Sequence, residues 1–376
     1  MNKRTNLGEK AFEYIIKSFI PITLAIVVLL GGFEPSLNRL LSATVYMVSP
    51  EKAVQFLKTE NAENKGVSED VNDEKAKAEN TDSVITSSSI EAESPSDIQK
   101  LVNDAEKKYA NSSNDGEIIE ADYSKQNATS EYNGIYLRNT TLNHTINIDD
   151  YLNRKVQAYV DEDKPAVLIY HTHTSETYEL LDRNFYTNER STRSESSAEN
   201  MVRIGEEICK VLEKNGYKTI HDKTVYDEKL NGAYDRSRAR ISQILKDNPS
   251  VQIVLDVHRD SIYQKDGSRI KTVTEINGKK VAQIMLISGC EDGNVTDFPN
   301  WQKNLTFAVQ LQQKLTNDNK TLTRPLMFCS RKYNMDLVPC ALSVEIGTDA
   351  NTLGEAVFSA QLFANSLSQF LEEYKI

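Results

Sequence analysis

The sequence predicts an α/β protein: a mostly parallel central sheet flanked by helices, preceded by a transmembrane helix and a disordered linker. Three observations carry this expectation. From about Tyr132 onward, short apolar runs alternate with stretches of helical apolar periodicity. Residues 19–33 form an apolar run without a single charge. Between these two regions lies a long acidic segment with few aromatic residues.

The N-terminal run from Phe19 to Phe33 is extended backward by Tyr14, Ile15 and Ile16 across Lys17, whose ammonium can snorkel. It then approaches the ~20 residues needed to cross a bilayer. Lys3, Arg4, Lys10 and Lys17 precede the run and Glu34 follows it, so residues 1–18 are expected on the cytoplasmic side and the C-terminal bulk outside. A cleaved signal peptide is the competing reading. No small-x-small site follows the run directly, and Ser42-Ala43-Thr44 lies further on. The anchored form, with residues 19–33 as the anchor, is the expectation.

Residues 34–131 are expected to form an acidic disordered linker. Of the formal net charge of −11, the stretch from Glu51 to Ser130 holds 18 acidic and 9 basic residues. Rich in Glu, Asp, Asn, Ser, Lys and Ala, it offers too little apolar surface to repay ordering, apart from a transient helix over Ile98 to Tyr109. The remainder is close to neutral, which argues against nucleic acid as a partner. The four cysteines (Cys209, Cys290, Cys329, Cys340) form no C-x-x-C pair. Cys329 and Cys340 could bridge outside the cytoplasm, but a free buried thiol is the commoner state.

Residues 132–376 are expected to be the working domain. Val167–Tyr170 reads as a buried strand, and Ser197–Lys214 as an amphipathic helix with Met201, Ile204, Ile208 and Leu212 on one stripe, closed by Asn215-Gly216. Thr219–His221 is a short strand, Asp235–Lys246 a helix, and Gln252–Val257 an apolar strand. Ile270–Ile276 and Val281–Ile287 read as a hairpin about Asn277-Gly278. Trp301–Leu315 is helical, Ala341–Ile346 a strand and Leu353–Glu373 the closing helix. Sites on such sheets form where the C-terminal ends of the strands emerge.

Three polar clusters occupy that position: His171/His173/Glu176, His258-Arg259-Asp260, and Glu345. By strand alternation His171 and His173 would project to the same side. Two imidazoles and a carboxylate can hold Zn²⁺ and leave a position open, and a further glutamate can move a proton. His171, His173, His258 and Glu176 are therefore candidate metal ligands, with Glu345 as general base and then acid. Arg259 would bind a substrate carboxylate or stabilise the oxyanion, unless it pairs with Asp256 or Asp260. Each member has a plainer alternative. A histidine after a strand is often a hydrogen-bonded loop residue. Glu345 could pair with Arg259, and Glu176 could serve a helix start. Glu199 and Asp256 are weaker candidates, as ligand or as orienting partner of a histidine. His144 and His221 read as non-catalytic. Ser175 is a weak rival nucleophile, since no Gly-x-Ser-x-Gly elbow surrounds it.

The segments Tyr170-His171-Thr172-His173-Thr174-Ser175-Glu176-Thr177-Tyr178, Asp256-Val257-His258-Arg259-Asp260-Ser261 and Ser343-Val344-Glu345-Ile346-Gly347 resemble those of the stage II sporulation protein P family. The resemblance runs from about Ile135 to the C-terminus. More distantly, the domain resembles the zinc-dependent N-acetylmuramoyl-L-alanine amidases. In that comparison His173 or His171 takes the first ligand role, His258 the later one and Glu345 the catalytic glutamate, while Glu176 and Glu199 compete for the middle carboxylate. The amidases' Pro-Gly-His-Gly-Gly turn is replaced here by His-Thr-His-Thr-Ser.

The resemblance implies an amidase-like fold, a Zn²⁺ cofactor and a peptidoglycan substrate. It implies cleavage of the amide between N-acetylmuramic acid and L-alanine, with endopeptidase action on stem-peptide cross-links as an added activity. It places the protein at the cell membrane, its C-terminal domain between mother cell and forespore during sporulation engulfment. There it would act beside a lytic transglycosylase and a membrane scaffold protein. From another class, a non-catalytic tether that binds peptidoglycan and recruits partners would use the same anchor and linker.

Overall fold

The computed structural model describes residues 95–376. The expected anchor at 19–33 lies outside the described residues, and among those described no helix is long and apolar enough to cross a membrane. The folded part begins earlier than expected. Helix α1 (Ser96–Lys108) is followed by strands β1 (Gly116–Ala121), β2 (Ser130–Tyr132) and β3 (Ile135–Asn139). The assignment of 95–131 to a disordered linker is thus corrected. Ile98, Ala105 and Tyr109 fall on one helical stripe and are buried in the main core, a periodicity that the composition of the whole acidic stretch conceals.

The elements then follow as helix α2 (Ile148–Leu152), strand β4 (Val167–Tyr170), strand β5 (Phe185–Tyr186), helix α3 (Met201–Lys214) and strand β6 (Thr219–His221). Helix α4 (Ala233–Asp247) precedes strands β7 (Ile253–Asp260), β8 (Arg269–Ile276), β9 (Lys279–Ala282) and β10 (Ile284–Gly289). Helix α5 (Trp301–Asp318), strand β11 (Leu326–Cys329), strand β12 (Cys340–Thr348) and helix α6 (Leu353–Leu371) complete the chain. Helix α3 starts four residues later than expected because Asn200 caps it, its side chain accepting from the Val202 N–H at 3.0 Å.

The central sheet has eight strands in the order β2-β3-β11-β10-β12-β7-β4-β6. Only β2–β3 and β10–β12 pair antiparallel, so the sheet is mostly parallel, as the alternation of elements predicts. A second sheet, β5-β1-β8-β9, was not expected. The Asn277-Gly278 hairpin forms between β8 and β9, both turn residues having positive φ (53° and 72°). The run Val281–Ile287, however, is two strands. At buried Gln283 the chain leaves the small sheet for the central one. The Gln283 side chain donates to Asp122 and the Thr321 carbonyl and accepts the Tyr123 N–H, which ends the hairpin one residue before β10.

One face of the central sheet is covered by α3, α5 and α6, whose Ile204, Phe307 and Phe363 join Ile169, Leu255, Leu286 and Val344. On the other face α4 covers β4 and β7 through Ile241 and Ile244 against Leu168, Tyr170 and Val254. The small sheet is tied down by Lys271, buried and within 3.3, 2.6 and 2.9 Å of Glu120, Asp182 and Glu355. All four cysteines are buried and free, so the Cys329–Cys340 bridge is not formed.

Helix α3 passes directly over His171 and His221, and this requires Gly205. A Cβ there would lie 2.4 Å from His221 Nε2 and 2.6 Å from His171 Nε2. Gly205→Ala is expected to destabilise the fold by about 1–3 kcal/mol through overpacking, read as a lowered urea midpoint. An unchanged midpoint would show that the helix is free to lift.

Candidate active site

Strand β4 ends at Tyr170, and residues 172–175 form a turn rather than extended chain. The turn is clamped by Asp256, which accepts the Thr172 N–H at 2.8 Å and the Thr172 hydroxyl at 2.7 Å. Thr174 adds a bond to the His171 carbonyl. Strand alternation therefore does not reach residue 173, and the two histidines part. His171 is buried beneath α3, its Nδ1 2.8 Å from the Val257 carbonyl and its Nε2 2.9 Å from His221 Nε2. Since Nδ1 must donate to the carbonyl, Nε2 accepts from His221. Burial and the neighbouring His221 hold His171 down at about 3, and burial holds His221 at about 4. Both rings are neutral and mutually satisfied. The expected role of His171 as a ligand is corrected on this ground: neither of its nitrogens faces the cluster.

His173, Glu176 and His258 do converge, with ligand atoms all within 4.8 Å of one another. His173 Nδ1 is 3.4 Å from Glu176 Oε1, and His258 Nδ1 is 3.5 Å from Glu176 Oε2. The His258 ring meets His173 edge-on, with 5.1 Å between centroids. Behind it, Asp256 Oδ1 stands 2.8 Å from His258 Nε2, though outside hydrogen-bond alignment. One carboxylate, 1% exposed, thus sits behind both the turn that carries His173 and the strand that carries His258.

The charges follow from this packing. Burial opposes ionisation of Glu176, but the two histidines and Arg259 outweigh it and hold the carboxyl well below the usual range. Burial likewise opposes protonation of His258, yet Asp256 and Glu176 on either side push it well above the usual range. Two carboxylates thus enclose one positive ring.

Glu345 stands on β12 in register with His258 on β7. Its Oε2 is buried without a hydrogen-bond partner. Burial pushes its carboxyl up to about 8, with Asp260 and Glu176 adding to the effect against the pull of His258 and Arg324. The cleft, of about 260 Å³, is lined by His173, Glu176, His258 and Glu345 together with Tyr234 and Tyr333. Those two tyrosines, stacked with centroids 5.1 Å apart, form an aromatic wall. Tyr333 and Asn334 both have positive φ (45° and 59°), the kind of backbone strain found at functional sites. Neither tyrosine was anticipated from the sequence, since each reaches the cleft from a distant element.

Arg259 lines the cleft but its guanidinium is committed elsewhere. Nε donates to the Thr177 carbonyl and Nη2 to the Thr192 carbonyl, each at 2.8 Å, and Nη1 to the Asp260 carbonyl. It pairs with neither Asp256 nor Asp260 side chains, and three of its nitrogens donate to backbone carbonyls. It holds the loop beyond Glu176. Glu199 is likewise outside the cluster, bound to Arg190 and Ser194 at 3.1 and 2.8 Å. The Ser175 hydroxyl donates to Asp227 and accepts from Arg193, with no histidine as partner.

The donor set fits a zinc ion: two imidazoles and a carboxylate converge on one point, and an orienting carboxylate stands behind one imidazole. The geometry defines a cleft at the strand ends suited to metal-assisted hydrolysis.

This chain belongs to the stage II sporulation protein P family, whose model matches residues 40–368. It is 28% identical over 219 residues to stage II sporulation protein P of Bacillus subtilis (strain 168), a match covering 55% of this chain and 51% of that protein. The chain thus matches about half the length of that relative. Among solved structures it is similar to the N-acetylmuramoyl-L-alanine amidase AmiC2 of Nostoc punctiforme, with a TM-score of 0.30, 9% identity and coverage of 55% of this chain and 97% of the other. It is similar also to Ami1 of Mycobacterium abscessus, with a TM-score of 0.33, 13% identity and coverage of 56% and 99%. Likenesses this loose carry no argument, and the chemistry rests on the residues themselves.

In the metal-free protein the raised Glu345 carboxyl has a definite consequence for stability. A folded pKa of about 8 against the ordinary 4.5 means the neutral form favours folding, a contribution complete below 4.5 and lost as pH rises through 8. With chelator present, Glu345→Gln should therefore gain about 1–3 kcal/mol on the wild type between pH 5 and pH 8. Urea midpoints at both pH values measure this. An identical offset at pH 5 and pH 8 would contradict it.

Proposed function

We propose that the chain is a membrane-anchored, zinc-dependent peptidoglycan hydrolase. On this reading it cleaves the amide between N-acetylmuramic acid and L-alanine, and also stem-peptide cross-links, during sporulation engulfment. The observation that carries the reading is the convergence of His173, Glu176 and His258 beside the unpartnered oxygen of Glu345. Membership of the stage II sporulation protein P family supports the sporulation role. The N-terminal run at 19–33 supports the anchor, and a lytic transglycosylase and a membrane scaffold protein are the proposed partners.

His173, Glu176 and His258 would hold the zinc. Bound there, zinc would supply Lewis acidity toward a carbonyl oxygen and toward water. The chain's own residues then act as follows. Ionised in the field that a bound cation would supply, Glu345 takes the proton of the attacking water and returns it to the leaving amine. Its buried, raised carboxyl suits the return, since a weak acid gives up a proton only to a developing amine. Asp256 keeps the His258 ring turned toward the cluster. Tyr234 and Tyr333, stacked on each other, wall one side of the cleft.

A purely recruiting, non-catalytic protein has no use for an unpartnered buried carboxylate next to two imidazoles. On purified cell wall, Glu345→Gln is expected to lower turnover by about 10²–10⁴-fold while keeping its zinc, and His173→Ala to lose most of the zinc. Mass spectrometry of the products should show stem peptides freed from the lactyl group. Near-full digestion by Glu345→Gln would overturn the assignment, and products cut only within the peptide would make the protein a peptidase.

A further inference from the structure

Beyond the catalytic cluster, the same sheet face leads to a second cavity. Paired residues of neighbouring strands share a face, and the registers can be followed outward from the site. His258 pairs with Glu345, Glu345 with Met285, Ser343 with Ile287, Ile287 with Met327, and Met327 with Arg138. Helix α4 covers β4 and β7 on this face. Over β10 and β11 the face is instead a small apolar patch of Met285, Ile287, Met327 and Cys329 beside Tyr333. A row of residues on one face thus runs from the cluster across β12, β10 and β11 to β3.

At its far end lies a second cavity of about 320 Å³, lined by Arg138, Arg324, Tyr123 and Met285, and sharing Asp260 and Ser261 with the catalytic cleft. Its two guanidinium groups are incompletely used. Arg324 is 4% exposed. Its Nη2 donates to Asp260 Oδ2 at 2.8 Å, but its Nη1 is buried with no partner. Arg138 makes no hydrogen bond or ion pair among the described residues. Two cations against the single carboxylate of Asp260 leave this cavity net positive. A buried guanidinium nitrogen without an acceptor is costly unless a ligand supplies one.

We propose that this cavity is an anion subsite, in which Arg138 and Arg324 receive a carboxylate of the acidic stem peptide whose amide is cut at Glu345. The proposal rests on the peptidoglycan reading. The span to Arg138 fits such a ligand in length. From β12 to β3 is three strand spacings, roughly 14 Å, and an extended peptide covers that in about four residues. A guanidinium fork is the side chain best matched to a carboxylate. The carboxylate recognised is therefore at the third or fourth stem residue.

The test uses the full chain carrying Glu345→Gln, so that ligand is not consumed. The ligands are two muramoyl tetrapeptides that differ in whether the carboxylates of the third and fourth residues are free or amidated. Isothermal titration is expected to show the free acid bound about tenfold more tightly, and Arg138→Ala to abolish that preference while leaving affinity for the amidated ligand unchanged. The Arg138 side chain is half-buried and unpaired among the described residues, so its replacement should not disturb folding; Arg324→Gln is the second variant and should reduce the preference as well. Equal affinity for the two ligands, or a preference that survives both replacements, overturns the subsite. If the Arg138-dependent preference appears but the wild-type chain frees no peptide from the wall, the amidase reading fails and the subsite stands. Normal turnover with no preference removes the subsite alone.

Discussion

The site depends on one buried carboxylate. Asp256 lies on β7, 1% exposed, and fixes two parts of the chain that are otherwise far apart. Through the Thr172 N–H and hydroxyl it bends the chain after β4 into a turn, which carries His173 forward and leaves His171 behind. Across the same strand it stands against His258 Nε2, which leaves Nδ1 to face Glu176. A buried aspartate without such partners would be costly. Here three groups from two elements satisfy it, so the turn and the ring are held by the same charge. Loosening either would leave the carboxylate short of partners, and this couples the positions of both candidate imidazole ligands.

The sheet and its flanking elements make use of this fixed point in two ways. On one face, α3, α5 and α6 bury a continuous core, and Gly205 lets α3 lie close over the His171–His221 pair. That pair seals the back of the turn with neutral, mutually bonded rings. On the opposite face α4 covers β4 and β7, and Phe298 and Met335 join Ala341 of β12 in the same cluster. The small sheet, pinned by Lys271 to three carboxylates, and the chain from α1 through β3 then frame the domain. Residues whose composition suggests a free tether therefore serve to complete the domain, and Arg138 of the proposed subsite belongs to β3 within it.

Much of this architecture was legible in the sequence because its signals are local. The strands Val167–Tyr170 and Thr219–His221 are short apolar runs with clear ends, and the stripe Met201, Ile204, Ile208, Leu212 marks its helix. The Asn277-Gly278 turn names itself. His173, Glu176, His258 and Glu345 were legible as chemistry at strand ends. What was hidden is what depends on distant partners. His171 and His173 differ in fate because Asp256 bends the chain between them, and no spacing rule carries that. Arg259 looks like a catalytic cation until backbone carbonyls from Thr177 and Thr192 are placed around it. Gln283 splits an apparently continuous strand because its partners lie at Asp122 and Thr321. Tyr234 and Tyr333 carry no local signal at all.

The charge arrangement makes its own argument about what the cleft is built to hold. Glu176 is held ionised, His258 is held protonated between Glu176 and Asp256, and Glu345 is held neutral by burial. Without a cation the protein places two protons among three carboxylates and an imidazole, one on His258 and one on Glu345, and still leaves Glu345 Oε2 unpartnered. A purely structural cluster relaxes such a mismatch by adding a lysine or arginine, as the Lys271 cluster does for Glu120, Asp182 and Glu355. Here the guanidinium of Arg259 is turned to backbone carbonyls, and that of Arg193 pairs with Glu176 only at 3.7 Å while it binds Asp227 more closely. The same protein thus solves the problem of grouped carboxylates with a buried ammonium at one place and leaves it open at the other. An open solution at the mouth of a cleft, with imidazoles as neighbours, is the arrangement that a divalent cation completes.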